Sequence, residues 1–333
     1  MKIVQCLASK GAGGLENVFI GLCNALSKKM EVEVIVFKDA ACIQKLNKNI
    51  QVHELSSKSS RFNILLYIEF YKLMRNIKPD IVHTHAAKAT QIFYYLNTFL
   101  KVSHVATKHN VRKGKIFNKV PQVIAVSKLV KTSIDNKSVQ VIYNGVQPVL
   151  TKKQSQNKVF TMVSIGRLDK VKGFDSLINA CSALDFPYHL QIVGEGKERE
   201  SLENLIQKLG IENHVTLLGF KSNVQDYLNA CHLQVISSTS EGFSLAMVEG
   251  IFYAPILLST KVGVCVEILP DELLCDISDL TMRITNIYEN QEEYLGYFNT
   301  IKQNYKEKLT IKVCAKEHLN VYQSVIIGDG MEI

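Results

Sequence analysis

Residues 237–249 decide the fold class: Ser237-Ser238-Thr239-Ser240-Glu241-Gly242-Phe243-Ser244-Leu245-Ala246-Met247-Val248-Glu249. They follow His232 to Ile236, an apolar run typical of a buried strand, and their Ser, Thr and Gly residues are typical of a loop. The Ser244 hydroxyl can cap a helix that begins near that residue, which places Glu249 about one and a half turns inside the helix. A strand, a glycine turn and a helix in this order predict an α/β fold in which Glu241 and Glu249 face one cleft.

The same turn has the properties of an anion-binding site. The N–H groups of Gly242, Phe243 and Ser244 and the positive end of the helix dipole favour a negatively charged group. Glu241 and Glu249 would repel that group unless the two carboxylates bind sugar hydroxyls instead. The pattern therefore indicates a ligand with both phosphate and hydroxyl groups, such as a nucleotide sugar.

A second charged segment lies upstream, at Gly166-Arg167-Leu168-Asp169-Lys170-Val171-Lys172-Gly173. It follows a predicted strand, Val159 to Ile165, and precedes a helix that we expect to begin near Phe174. Arg167 offers a planar fork of donors and Lys172 a mobile point charge, a pairing that suits a diphosphate. Taken singly these could be surface charges, but their spacing at a strand end indicates a phosphate site.

These two segments resemble motifs of the retaining glycosyltransferases of family 4, which have the GT-B fold. The family's G-R-L-x-x-x-K-G motif matches Gly166 to Gly173, and its E-x7-E motif matches Glu241 to Glu249. The family's G-G-x-P-E turn is altered here to Gly263-Val264-Cys265-Val266-Glu267, without one glycine and the proline. Other matching segments follow in the family's order along nearly the whole chain: residues 13–16, 80–85, 123–127, 141–146, 192–196 and 217–220.

The resemblance implies two Rossmann-like, doubly wound parallel-sheet domains that face each other across a cleft. It implies catalytic roles for His85, Glu241, Arg167 and Lys172: Glu241 contacts the transferred sugar, His85 orients it, and the cations stabilise the leaving diphosphate. Glu249 would bind the donor ribose. The full set of implied donor-binding residues is Gly13, Gly14, Gly194, Phe220, Gly242, Phe243, Ser244 and Glu249.

The reaction implied by the resemblance is a retaining transfer of a hexose or N-acetylhexosamine. The donor would be a nucleotide sugar, UDP-linked, and the acceptor a glycan or a lipid-linked glycan, as in lipopolysaccharide, O-antigen or capsule biosynthesis. No cofactor and no metal are expected, because Arg167 and Lys172 supply positive charge and the sequence has no D-x-D motif.

Two features of the N-terminal half leave alternatives open. His83 and His85 alternate at a predicted strand end, which predicts that only one of them faces the cleft; the resemblance selects His85, and His109 is a further candidate. The glycine loop at residues 11–16 is also compatible with dinucleotide binding, although Glu16 stands where a third glycine belongs, and Asp39 could bind a ribose. A nicotinamide-dependent oxidoreductase and a non-catalytic glycan-binding protein are therefore the alternative functions.

Alternating strand and helix patterns predict two domains in the 333 residues, at 1–150 and 158–310. A polar linker is expected at residues 151–157. The terminal segment, 311–333, contains a predicted helix at 311–326 that the resemblance returns to the first domain. Eight scattered cysteines without a CxxC pair indicate buried thiols in a reducing compartment. Neither a signal peptide nor an apolar run of ~18 residues is visible, which predicts a cytoplasmic protein, soluble or peripheral at the inner face of the cytoplasmic membrane.

Charge is unequal between the two halves. Residues 1–150 carry 22 Lys and Arg against 8 Asp and Glu, net +14, and the remainder carries 17 against 23, net −6, which together give +8. The helix predicted at residues 63–76 has a second apolar stripe, at Ile64, Tyr67, Ile68 and Tyr71, for which the plainer interpretation is a buried helix with solvated ends. Basic charge beside apolar groups also predicts an anionic membrane surface as a partner. Nucleic acid is not expected, because no binding motif accompanies the charge.

Overall fold

The computed structural model describes residues 1–11, 13–57, 60–112, 114–151 and 157–329. It divides into two compact units: Met1–Gln147 together with the chain from Leu309 onward, and Pro148–Lys308. Most of the predicted linker, residues 152–156, and the last four residues of the predicted tail lie outside the described ranges.

The first unit contains a seven-stranded parallel sheet in the order β3-β2-β1-β4-β5-β6-β7. Its strands are β1 (Lys2–Leu7), β2 (Glu31–Phe37), β3 (Gln51–Leu55), β4 (Ile81–His85), β5 (Ser103–Lys108), β6 (Gln122–Ala125) and β7 (Val139–Val141). Its helices are α1 (Gly14–Leu26), α2 (Ile64–Ile77), α3 (Ala86–Leu100) and α4 (Lys128–Thr132), with 3₁₀ turns at Ile43–Lys45 and Lys115–Lys119. Apolar clusters cover both faces of the sheet, as expected for a parallel sheet.

The second unit repeats this order in a six-stranded parallel sheet, β10-β9-β8-β11-β12-β13. Its strands are β8 (Phe160–Ile165), β9 (Tyr188–Val193), β10 (Val215–Gly219), β11 (Leu233–Ile236), β12 (Ile256–Thr260) and β13 (Leu274–Cys275). Its helices are α5 (Phe174–Cys181), α6 (Arg199–Leu209), α7 (Val224–Ala230), α8 (Leu245–Tyr253), α9 (Cys265–Ile268), α10 (Leu280–Glu289) and α11 (Gln291–Tyr305), with 3₁₀ turns at Lys170–Lys172, Asp271–Leu273 and Ile277–Asp279. In both units the order reverses beside the first strand, which confirms the predicted doubly wound α/β architecture.

The terminal helix α12 (Ile311–Asp329) belongs to the first unit. It packs against α1, and the chain just before it pairs with the segment after β7: Val146 forms a parallel bridge with Thr310, and its carbonyl accepts the N–H of Ile311 at 2.8 Å. A Cβ atom on Gly145 would lie 2.3 Å from the backbone carbon of Thr310. The residue at 145 must therefore be glycine for α12 to begin where it does.

Helix α2 corrects one interpretation of its sequence. Its first apolar stripe is buried as expected, since Leu66, Phe70, Met74 and Ile77 pack on the sheet. The second stripe is not buried: Ile64 is 73% exposed and Ile68 46%. The interpretation of α2 as a buried helix with solvated ends is therefore wrong, because the sheet covers only one side of it.

All eight cysteines are buried and none forms a disulfide, as their scattered spacing predicts. Burial raises the pKa of several of these thiols, that of Cys181 to about 12, so they are small apolar core residues at neutral pH.

Gly145→Ala should lower the free energy of unfolding by about 1–3 kcal/mol, because the new methyl group collides with backbone that cannot move without displacing α12. Gly296→Ala is the matched control: Gly296 lies within α11, a Cβ there meets nothing within 4 Å, and we expect a gain of about 0.5–1 kcal/mol. Urea unfolding of both variants measures the difference. Equal stability of Gly145→Ala and the wild type would contradict the close approach at Thr310.

Candidate functional site

Most predicted site residues of the second unit lie on loops that follow the carboxyl ends of its strands. The loop after β8 carries Arg167 and Lys172, and the loop after β11 carries Glu241. Strands β8 and β11 are neighbours in the sheet, and the strand order reverses between them. In doubly wound sheets this switch point is where ligands bind.

An ion pair joins these two loops directly. The ammonium of Lys172 lies 2.5 Å from Oε1 of Glu241, with the side chains 24% and 11% exposed. The Ser238 hydroxyl donates to the same carboxylate oxygen at 2.8 Å, and the Thr260 hydroxyl donates to the Ser238 carbonyl at 2.6 Å. The two sequence motifs gave no sign that Ser238 and Thr260 contribute to the site, yet both help to hold Glu241 in place.

Backbone contacts fix the same two loops to each other. The Ser237 hydroxyl donates to the Lys172 carbonyl at 2.9 Å, and the Thr239 N–H donates to the Val171 carbonyl at 2.8 Å. Gly173 has φ of +62°, and a Cβ there would lie 2.1 Å from the Ser237 carbonyl oxygen. Glycine is required at 173 both for its conformation and for this close approach.

Gly194 lets the loop after β9 approach the loop after β8. Its φ is +148°, and a Cβ there would lie 1.8 Å from the Gly166 carbonyl oxygen. The Gly194 N–H donates to the Gly219 carbonyl at 2.9 Å, which joins the end of β10 to the same edge. Phe220, the next residue, is 71% exposed, so its ring lies at the surface of this edge.

Helix α8 begins as its sequence predicts. Ser244 is the N-cap, and its hydroxyl accepts the Met247 N–H at 3.4 Å. Gly242 is buried and Phe243 partly buried in the turn before it. Glu249 is partly buried within α8, and desolvation raises its pKa to about 7. A hydroxyl that donates to its carboxylate would offset this desolvation and favour the charged form.

The altered turn at residue 263 keeps its close contact with the site. Gly263 has φ of +49°, and a Cβ there would lie 2.8 Å from the Glu241 carbonyl oxygen. The remaining glycine of the altered motif therefore still allows the chain to pass against Glu241, although the proline is missing.

Arg167 differs from Lys172 in its surroundings. Its side chain is 67% exposed, and its guanidinium lies 3.5 Å from a carboxylate oxygen of Asp169. Among the described residues, neither Arg167 nor Glu249 is in hydrogen-bond or ion-pair contact with the Lys172–Glu241 pair. The structure thus pairs Lys172 with Glu241. It places Arg167 on the same loop as Lys172, and Glu249 on the helix that follows the loop of Glu241.

In the first unit His85 is buried at the end of β4, 1% exposed. Its Nε2 lies 2.8 Å from Oε1 of Gln5, and its Nδ1 lies 3.2 Å from Nε2 of His109. The prediction that His83 and His85 alternate is wrong: their ring centroids are 4.3 Å apart, since residues i and i+2 of a strand project from the same face. Burial lowers the pKa of both imidazoles well below the usual value.

The glycine loop before α1 is closed by its own acid. A carboxylate oxygen of Glu16 accepts the Gly13 N–H at 2.8 Å, and the other accepts the Ser9 hydroxyl. Glu16 is buried, and Gly14 is the first residue of α1. A negative side chain therefore occupies the helix start where a dinucleotide would place its pyrophosphate, which weighs against the oxidoreductase alternative.

Within the described ranges, no group of three or more His, Cys, Asp or Glu side chains is arranged to hold a metal ion. Of the helices that the structure describes, none is both long and apolar enough to cross a bilayer.

Comparisons with known proteins match both units. Residues 12–149 match the model of the glycosyltransferase family 4 domain, and residues 148–304 match that of glycosyl transferases group 1. An uncharacterized glycosyltransferase of Methanocaldococcus jannaschii is 29% identical over 311 residues, 84% of this chain and 86% of that protein. A relative from Campylobacter jejuni, N-acetylgalactosamine-N,N'-diacetylbacillosaminyl-diphospho-undecaprenol 4-alpha-N-acetylgalactosaminyltransferase, is 28% identical over 281 residues, 73% of this chain and 76% of that protein. Anabaena HepE, solved with UDP-glucose, superposes with a TM-score of 0.85 at 19% identity, covering 97% of this chain and 100% of HepE.

Glu249→Gln should make the free energy of unfolding less dependent on pH. A carboxyl group whose pKa is raised to about 7 in the folded state adds most stability below its unfolded pKa of about 4.5, and that contribution is lost as pH rises through 7. Between pH 5 and 8 we therefore expect the wild type to lose roughly 1–3 kcal/mol more than the variant. Urea unfolding at both pH values measures this, with Glu212→Gln, at an exposed residue, as control. Parallel pH profiles for wild type and Glu249→Gln would show that this carboxyl is not desolvated.

Proposed function

Because this chain belongs to the family 4 glycosyltransferases and has the GT-B fold, we propose that it transfers a hexose or N-acetylhexosamine from a UDP-sugar to a glycan or lipid-linked acceptor, with retention of the anomeric configuration. The observation that carries the proposal is the Lys172–Glu241 pair at the switch point between β8 and β11. The pair offers a cation and a carboxylate at one place, which are the two groups that a sugar phosphate needs.

Each residue in the proposed site has a chemical task. The Lys172 ammonium and the exposed guanidinium of Arg167 stabilise negative charge on the leaving diphosphate, so that the reaction needs no metal ion. Glu241 accepts hydroxyls of the transferred sugar, and Glu249 accepts those of the donor ribose. The N–H groups at the start of α8 add a fixed positive dipole. The acceptor hydroxyl attacks the anomeric carbon from the same face of the sugar from which the diphosphate leaves, and its proton passes to the departing phosphate.

The relatives support the choice of substrates. HepE was solved with UDP-glucose, and the Campylobacter relative by its name transfers N-acetylgalactosamine onto a diphospho-undecaprenol-linked sugar. A lipid-linked acceptor and a UDP donor are therefore proposed for this chain too, in the assembly of a surface polysaccharide at the cytoplasmic side of a membrane.

The first unit has a surface that suits such a membrane. On α2 and just before it, and on α3, which packs against α2, large apolar side chains are exposed, among them Phe62 at 91% and Phe99 at 78%. Basic residues accompany them within a half of the chain that carries net +14. We name the exposed apolar residues together the α2–α3 surface: Phe62, Ile64, Leu65, Ile68, Tyr71, Tyr95 and Phe99. Apolar groups flanked by cations bind at the interface of anionic bilayers.

Lys172→Ala and Glu249→Ala should each reduce sugar transfer at least about 100-fold without unfolding the chain, because each removes a charged contact to the donor. The assay is acceptor-dependent release of UDP from a panel of UDP-sugars, with the anomeric configuration of the product determined by NMR. Lys170→Ala, which removes an exposed neighbouring cation, is the control and should retain activity. Full activity in the Lys172 or the Glu249 variant would refute the assigned roles, and an inverted product would refute retention.

The wild-type protein should co-sediment with liposomes that contain anionic lipid at moderate salt, and less so at high salt because the charges are then screened. The double variant Ile64→Ser/Leu65→Ser should bind several-fold more weakly, since it removes two exposed members of the α2–α3 surface. Val149→Ser/Leu150→Ser removes an adjacent exposed apolar pair from the second unit and should bind like the wild type. Absence of binding at every salt concentration would eliminate the membrane partner.

A further inference from the structure

A continuous chain of buried hydrogen bonds runs through the first unit from the terminal helix to His109. The Tyr322 hydroxyl lies 2.6 Å from Nδ1 of His83 and accepts the side-chain amide N–H of Gln5 at 3.0 Å. The amide oxygen of Gln5 lies 2.8 Å from Nε2 of His85, whose Nδ1 lies 3.2 Å from Nε2 of His109. His109 is partly exposed, whereas the other four side chains are buried.

Burial favours the neutral form of the imidazoles in this hydrogen-bonded chain. Burial lowers the pKa of His83 and His85 well below the usual value and that of His109 to about 3, and the neighbouring His318 on α12 has its pKa lowered to about 4. A neutral imidazole has one N–H and one lone pair, so each ring donates at one nitrogen and accepts at the other. The position of the proton on one ring therefore determines its position on the next ring of the hydrogen-bonded chain.

The arrangement of Gln5 fixes the direction of every bond. Because its amide N–H donates to Tyr322, the Tyr322 O–H is directed at Nδ1 of His83, and the His83 Nε2–H is directed at the Thr107 hydroxyl, 2.7 Å away. The Gln5 oxygen in turn accepts the Nε2–H of His85.

The direction continues to the surface end of the chain. Nδ1 of His85 has the lone pair and accepts the Nε2–H of His109. The second nitrogen of His109 is then left with a lone pair, and it is a hydrogen-bond acceptor.

The opposite direction requires only that the Gln5 amide turn over. His83 would then donate to Tyr322, His85 would donate to His109, and His109 would end the chain as a donor. A phenol is a much stronger acid than a neutral imidazole N–H, with a pKa of about 10, so the bond from the Tyr322 O–H to an imidazole lone pair is stronger than the reverse. Its length of 2.6 Å is that of a strong O–H donor. Tyr322 is therefore the group that favours the first of the two directions.

We propose that Tyr322 is a positioning residue for His85 and His109: through Gln5 it holds His85 as the Nε2–H tautomer and leaves His109 as an acceptor for a hydroxyl of the bound sugar or acceptor. The contact with a sugar hydroxyl rests on the proposed function; the tautomers do not. Tyr322 and its partners Gln5 and His83, more than 200 positions away in the sequence, thus form one hydrogen-bonded network. Helix α12 thereby sets which nitrogen of a strand-end histidine donates and which accepts.

The experiment compares wild type and Tyr322→Phe by ¹⁵N NMR of histidine-labelled protein, with the His85 signals assigned by their loss in His85→Gln. We expect a single Nε2–H tautomer for His85 in the wild type and a mixture in Tyr322→Phe, which removes the hydroxyl that favours one direction. The kcat of sugar transfer should fall about tenfold in the variant, while its Kd for UDP stays unchanged. Tyr253→Phe, which deletes a hydroxyl that accepts the Val149 N–H in the second unit, is the matched control and should change neither the tautomer nor kcat.

A second variant, Gln5→Met, breaks the chain without touching α12 and covers the case in which Tyr322→Phe does not fold. It should give the same mixed His85 signature, and the double variant should lose no more activity than either single one, because all act through one chain. An Nδ1–H tautomer of His85 in the wild type, or an unchanged His85 signature in the variants, would overturn the proposal. So would a changed signature with unchanged kcat. If the wild type transferred no sugar, the proposed function would fail while the NMR comparison still decided the role of Tyr322.

Discussion

The ion pair between Lys172 and Glu241 is the constraint on which the second unit's site depends. Each charge is largely removed from water, and a charge in that position is costly without its partner. The pair therefore holds the loop after β8 against the loop after β11, and the Ser238 hydroxyl completes the coordination of the carboxylate. Because the backbone of Gly173 also contacts the Ser237 carbonyl, the two loops form one rigid edge.

This edge offers two cations with different degrees of freedom. Lys172 is fixed by Glu241, while Arg167 is largely exposed and only loosely paired with Asp169. In the proposed reaction a diphosphate would share the Lys172 ammonium with Glu241 and would recruit Arg167 from solvent. Sharing lowers the attraction of Lys172 for the bound diphosphate, and the same pairing keeps the Glu241 carboxylate oriented for sugar hydroxyls. In that reaction the exposed Arg167 would supply the part of the attraction that Lys172 shares with Glu241.

The features of this structure that depend on neighbouring residues were predictable from the sequence. Those that depend on contacts between distant segments were not, because no sequence pattern reveals them. The cap at Ser244 and the start of α8 are set by neighbouring residues, and they were predictable. The exposure of Ile64 and Ile68 was not, because it depends on how much of α2 the sheet covers. The contact of His83 with Tyr322 joins residues 239 positions apart. The wrong prediction for His83 and His85 had a different cause. Residues two apart along a strand project from the same face, so the sequence alone already places both side chains on one side.

The two units share a strand order but differ in what lies at the ends of their strands. In the second unit those ends carry opposite charges and a helix start with its N–H groups, which is chemistry for a phosphate. In the first unit the helix start is already occupied by the carboxylate of Glu16, and β4 and β5 lead to neutral histidines whose protons are ordered by Gln5 and Tyr322. A neutral chain of this kind cannot match the charge of a diphosphate, but it presents an ordered acceptor to a hydroxyl group. In the proposed reaction, charge stabilisation would thus belong to the second unit, and the recognition of a hydroxyl group by ordered imidazoles would belong to the first.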